Sequence, residues 1–184
     1  MRTKQLVLTA LFAALTAIGA FLKIQIPVEG IPAITLQFFF TAMAGVLLGA
    51  KYGAISQAVY VLLGLVGLPI FTMGGGFSYV LQPSFGFLVG LIPSAWVIGT
   101  LCKNAKSFWL MALGILAGLA VLYLIGTPYM GLILNLYLGK GMSVWQIVRA
   151  GCLLYLPGDV LKIVVCTALC LALRSRLPKA LAAA

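Results

Sequence analysis

Apolar residues follow one another in long unbroken runs along this chain, and the breaks between them hold glycine, proline, lysine or arginine. At about 20 residues per membrane-spanning helix, the pattern reads as six spans. The first, residues 6–26, is bracketed by Arg2 and Lys4 and by Pro27. It is long for the apolar part of a signal peptide and lacks a small-residue cleavage site before a polar chain, so it reads as span 1. Lys23 near its end can snorkel to the interface. Pro27, Gly30 and Pro32 then break the helix. Spans 2 and 3, residues 35–50 and 52–68, are separated only around Lys51 and predict an antiparallel hairpin, both arms short for a bilayer. A connection over 69–83 holds Gly74, Gly75 and Gly76. Spans 4 and 5 cover 84–102 and 107–126, with Lys103 and Lys106 between them. Residues 127–151 are less apolar and predict an interfacial connection with short amphipathic turns. Span 6 runs over 152–173, is interrupted at Pro157-Gly158, and ends at Arg174, Arg176 and Lys179.

Composition agrees with that pattern. Of 184 residues, 64% are hydrophobic and 8% charged, where soluble domains carry roughly a quarter charged residues. A water-soluble domain is excluded, and six spans leave no room for a second one. The expected architecture is an all-α integral membrane protein, a six-transmembrane-helix bundle forming a single membrane-embedded domain over residues 1–184.

The formal charge of +10 invites a nucleic-acid reading. The basic residues, however, stand singly or in pairs between apolar runs, without the basic and aromatic interleaving that tracks a phosphate backbone. No nucleic-acid partner is expected; the expected surroundings are the lipid bilayer. With both termini cytoplasmic, the inner segments hold Arg2, Lys4, Lys51, Lys103, Lys106, Arg174, Arg176 and Lys179, and the outer ones only Lys23, Lys140 and Arg149. That asymmetry favours both termini inside, and it leaves Lys162 within the membrane.

Asp159 and Lys162 are the sharpest chemical feature, since each costs about 2.5 to 3.5 kcal/mol at the centre of an inserted helix. Lys162 lies roughly 18 Å along a helix from Arg174, well inside the hydrocarbon. Spaced i, i+3, the two share a helix face. They form either a self-satisfied ion pair that fixes packing or the charged part of a polar substrate site, and the adjoining Pro157-Gly158 break favours the site. Gly74-Gly75-Gly76 is no phosphate loop, because no Gly-Lys-Ser/Thr follows. It is either a flexible outer loop or backbone packed closely over a ligand, with Tyr79 and Gln82 following as an aromatic and an amide suited to a small polar heterocycle. Gln37 (beside Thr35), Gln57 and Asn135 are amides in apolar surroundings, either helix-joining hydrogen bonders or further walls of one cavity.

Ala10, Ala13, Ala14 and Ala17 put small residues four apart on span 1, for packing in the protein's own bundle or for docking a separate membrane subunit. Cys102, Cys152, Cys166 and Cys170 occur without histidine or clustered carboxylates, so no metal site is expected. No catalytic residues are expected either, for want of a nucleophile-and-base set or an ATPase motif.

These residues carry a resemblance. Ile34-Thr35-Leu36-Gln37, Gly45 to Gly49 with Lys51 and Gly53, Gly64, Gly67-Leu68-Pro69-Ile70-Phe71, Gly74-Gly75-Gly76, Tyr79, Pro83, Gly86 and Gly90, then Leu156-Pro157-Gly158-Asp159 with Lys162, resemble the signature of the BioY family. Departures occur at Phe85-Gly86-Phe87, where the family commonly has Gly-Gly-Tyr, and at Phe77-Ser78. BioY proteins are biotin-specific substrate-binding (S) components of energy-coupling factor (ECF) transporters. The resemblance implies high-affinity capture of biotin from outside the cell and its uptake, in a prokaryotic plasma membrane, with no enzymatic activity of its own and no cofactor. It implies a substrate site containing Asp159, Lys162, Tyr79, Gln37, Gln57, Gln82, Gly75 and Gly76. It also implies a transmembrane coupling subunit docking on span 1 at Ala10, Ala13, Ala14 and Ala17, and through it two cytosolic ATPase subunits. The alternatives are an S component for another vitamin, or a membrane structural or accessory protein with a self-paired Asp159 and Lys162.

Overall fold

The computed structural model describes residues 3–24 and 31–176. Arg2, Pro27, Gly30 and Lys179, which the sequence reading used as breaks and topology signals, lie outside them. Helix α1, Thr3–Phe21, buries Thr9, Phe12, Ala13, Thr16, Gly19 and Ala20, positions three or four apart that make one face. Its two buried threonines turn their hydroxyls back to the carbonyls of Gln5 and Phe12, which removes the cost of burying them. Two-residue strands, β1 Lys23–Ile24 and β2 Ile34–Thr35, then pair antiparallel. The Leu36 amide donates to the Gly19 carbonyl at 3.0 Å, tying the end of α1 to the start of the next helix.

Helix α2, Gln37–Leu65, is the predicted hairpin, but it turns without a loop and does so at Gly49, ahead of Lys51. Gly49 has φ 78° and ψ 176°, a backbone that L side chains rarely adopt. In a straight helix Thr41 and Gln57 would lie about 24 Å apart, and Gln37 and Tyr60 about 34 Å. Instead the Thr41 hydroxyl donates to the Gln57 side-chain carbonyl at 2.9 Å and the Gln37 amide to the Tyr60 hydroxyl at 2.8 Å. The two halves of α2 therefore lie antiparallel, joined by buried polar contacts.

Helix α3, Phe85–Leu101, falls where span 4 is predicted. Helix α4 departs from prediction: it runs over Phe108–Leu132 and continues as a π-helical turn, Ile133–Tyr137, where an interfacial connection was expected. Pro128 sits inside it. Proline lacks one helical hydrogen bond, but Thr127, Met130 and Gly131 around it are buried, and that packing holds the helix through the defect. The connection that remains contains a turn at Gly139 and Gly141, then a short helix α5, Val144–Val148, closed by a reciprocal Ser143–Gln146 capping box. Asn135 clamps this turn, its amide donating to the Met142 carbonyl at 2.8 Å and its carbonyl accepting the Met142 amide at 2.7 Å.

A second π-helical turn, Arg149–Leu153, leads to α6, Leu156–Arg176. The break expected at Pro157-Gly158 thus lies just upstream, and Pro157 occupies the first turn of α6, where its missing N–H has no helical partner to lose. The main core joins α1, both halves of α2, α3, α4 and α6. Among the described residues four helical stretches, Thr3–Phe21, Gln37–Leu65, Phe108–Tyr137 and Val144–Ser175, are long and apolar enough to cross a membrane, and Phe85–Leu101 is a shorter apolar helix.

Candidate substrate pocket

Six parts of the fold converge on one pocket. Pro32, Ala33 and Thr35 come from the segment before α2, and Gln37 and Phe38 from its first turn. The connection after α2 supplies Thr72 and Tyr79, with Ser84 beside the start of α3. The apolar wall is Phe87, Leu88 and Leu91 of α3 and Leu122 of α4. Tyr123 of α4, Tyr155, and Asp159 and Lys162 of α6 complete it.

Asp159 is 5% exposed and stands in the first turn of α6, where the helix dipole favours a carboxylate. Lys162 Nζ donates to its Oδ1 at 2.8 Å. The Tyr123 hydroxyl donates to the other oxygen, Oδ2. Each carboxylate oxygen thus keeps accepting capacity, and the ammonium keeps two of its three N–H groups. Tyr155 donates to the Pro32 carbonyl at 2.5 Å, which joins the segment before α2 to the start of α6.

A second polar group surrounds Tyr79, whose hydroxyl lies 2.8 Å from the Thr72 hydroxyl and accepts from Ser84 at 3.2 Å. Its ring leans on Phe71, centroids 4.6 Å apart, and Phe71 meets Tyr60 edge-on. Tyr60 in turn donates to the Ile70 carbonyl at 3.1 Å. Gln37 is held by Tyr60 and by the Thr35 hydroxyl, which donates to its side-chain oxygen at 3.0 Å. Lys23 Nζ donates to the Thr72 carbonyl from β1.

Of the residues expected at the site, Asp159, Lys162, Tyr79 and Gln37 meet in this pocket. Gln57 does not line it: fully buried, it accepts from Thr41 and donates to Ser56 at 3.0 Å. Gln82 is half-buried and ends the 3-10 turn Phe77–Leu81, its carbonyl accepting the Phe85 amide at 3.0 Å. Gly75 and Gly76 lie behind the wall rather than in it. A Cβ on Gly75 would sit 2.0 Å from the Leu68 carbonyl oxygen, and Gly76, at φ 106°, donates to the Gly64 carbonyl at 2.7 Å. The glycines press the connection onto the end of α2, and so hold Phe71, Thr72 and Tyr79 in place. Asn135 belongs to the α4–α5 turn instead.

Tyr123, Tyr155, Thr72 and Ser84 were not singled out from sequence. Tyr123 carries a signal in retrospect: a phenol within an apolar run needs a hydrogen-bond partner, and Asp159 is the one carboxylate among the described residues.

On span 1 the alanines divide. Ala13 is 5% exposed and packs in the core and Ala17 is partly covered, whereas Ala10 and Ala14 face outward. Val7, Leu11 and Ile18 are exposed on the same helix.

The model of the BioY family matches residues 1–179. The chain belongs to the BioY family. Among BioY relatives, the biotin transporter BioY of Thermotoga maritima is 36% identical over 173 residues, 93% of this chain and 96% of that one. The probable biotin transporter BioY of Lysinibacillus sphaericus is 46% identical over 145 residues, 77% of this chain and 71% of the relative. The crystal structure of the S-component for biotin from an ECF-type ABC transporter superposes with a TM-score of 0.82 at 27% identity, covering 95% of this chain and 92% of that one. With apolar helices of spanning length, this BioY family member is a membrane protein.

Proposed function

We propose that this protein captures biotin in the pocket built around Asp159 and Lys162 and serves its uptake as the S component of an ECF transporter. The observation that carries the reading is a buried carboxylate with accepting capacity left over, beside an ammonium and two hydroxyl-bearing rings, in a chain whose relatives are named biotin transporters. Biotin has a ureido ring with two N–H donors and a carbonyl, an apolar thioether ring, and a carboxylate tail. Asp159 accepts ureido N–H groups, in bonds strengthened by its charge. Lys162 meets the carbonyl or the tail. Tyr79 and Phe87 cover the apolar ring, and Gln37, Thr72 and Ser84 supply further polar contacts.

In this reading residues 1–184 are one membrane-embedded domain with six crossings: α1, the two halves of α2, α3, α4 and α6. The irregular stretches 31–36 and 66–84 extend the short α2 halves on the pocket side. Both termini then face the cytoplasm, the arrangement the lysine and arginine distribution supports. The protein is not an enzyme and holds no cofactor. A transmembrane coupling subunit docks on the outward face of α1 at Ala10 and Ala14 and links it to two cytosolic ATPase subunits.

Mass spectrometry of small molecules released from the purified protein tests the substrate. Biotin is the expected species. Riboflavin or thiamine in its place would assign another vitamin, and no ligand even after incubation with biotin would leave the ion pair a packing device.

A further inference from the structure

A second hollow lies where the α3–α4 turn meets the end of α6, and biotin capture makes no use of it. Lys103, Asn104, Lys106, Arg174 and Ser175 line its polar part. An apolar hollow continues from the same Asn104 and Ala105 along Leu101, Leu110, Leu113 and Gly114. Arg174 is fixed there, donating to the carbonyls of Cys102 at 2.8 Å, Ala105 at 3.3 Å and Val46 at 2.5 Å. Those acceptors take three of its five N–H groups but carry no formal charge. Lys103 and Lys106 are exposed beside it. Among the described residues no carboxylate pairs with any of the three, since Asp159 is engaged by Lys162. Leu110 and Leu113 are each 60% exposed and Trp109 is 75% exposed, so the apolar part opens outward on α4.

We infer that this two-part hollow binds an anionic phospholipid, its phosphate between Lys103 and Lys106 beside Arg174 and an acyl chain along Leu110 and Leu113. Charge complementarity selects the head group: three cations without a counter-ion meet a lipid phosphate at the membrane surface. The adjoining apolar part on α4 lies where a lipid that puts its phosphate at the cations also lays an acyl chain, a contact that a soluble anion lacks. The exposed lysines predict an affinity that falls as salt rises.

Native mass spectrometry of the whole purified protein tests this, with phosphatidylglycerol and phosphatidylcholine of identical chains as probes. Phosphatidylglycerol adducts should dominate and should persist in excess inorganic phosphate. Lys103→Gln and Lys106→Gln should each weaken them roughly fivefold, and the double variant roughly 30-fold, from the energy of one lysine near an anionic surface. Phosphatidylcholine adducts and biotin binding should stay unchanged, the latter reporting an intact fold. Equal occupancy by the two lipids, displacement by inorganic phosphate, or undiminished phosphatidylglycerol binding in the single variants would each overturn the inference. So would a requirement for the two lysines in complex assembly in pure phosphatidylcholine, which would assign them to an acidic protein partner.

Discussion

The Tyr123 hydroxyl donates to the Asp159 oxygen that Lys162 leaves free, so the acid of the pocket is held from α4 as well as from its own helix. Lys162 alone could let the carboxylate rotate with the lysine chain. With Tyr123 added, both oxygens have fixed directions, and their remaining lone pairs are aimed before any ligand arrives. Preorganisation of this kind lowers the ordering cost of binding.

Tyr123→Phe removes that donor and keeps the ring. Leaving a buried carboxylate oxygen short of a partner costs about 1 to 3 kcal/mol. Biotin affinity should fall by about tenfold or more, read by calorimetric titration, while the retained ring keeps the protein folded. Unchanged affinity would remove Tyr123 from the site.

Lys162→Met strands the Asp159 charge in the interior and should lower stability by about 3 to 5 kcal/mol. The double variant Asp159→Asn with Lys162→Met should regain most of that stability in thermal unfolding without regaining biotin binding. Recovery of both would show the pair to be a packing device.

The outward face of α1 makes a contrast possible. Ala10→Leu with Ala14→Leu should leave biotin binding intact and abolish co-purification with the coupling subunit. Ala13→Leu instead overpacks the protein's own core, at about 1 to 3 kcal/mol, and should lower the unfolding temperature. Normal co-purification of the first variant would move the docking face elsewhere.

Gly75→Ala drives a methyl group into the Leu68 carbonyl. The connection must then lift from α2 and carry Thr72 and Tyr79 with it. Biotin should dissociate faster, measured by exchange of labelled biotin. An unchanged rate would mean that the connection adjusts without moving the pocket wall.

The apolar runs made the helices legible because almost nothing else competes in this chain. Where reading fell short, a local rule gave way to packing. The chain beyond residue 126 reads as an interfacial connection, yet α4 continues into it and through Pro128 because the neighbours of that proline are buried. Lys51 reads as the hairpin tip, yet the backbone turns at Gly49, where a left-handed conformation is available to glycine. Asp159 and Lys162 were legible in the site because an ion pair in an apolar run demands a reason. Gln57 and Asn135 had the same appearance but are engaged away from the pocket, by Thr41 and Ser56 in one case and Met142 in the other. Tyr155 stayed hidden because its partner, the Pro32 carbonyl, lies 123 residues away and backbone acceptors leave no mark in a sequence.

The central claim is that Asp159 recognises biotin, and titration of the purified protein and of Asp159→Asn with biotin tests it most directly. The account predicts saturable binding of one biotin per chain, weakened about tenfold or more in the variant, with the variant folded but less stable because Lys162 loses its counter-ion. Equal affinity in the two proteins would contradict it.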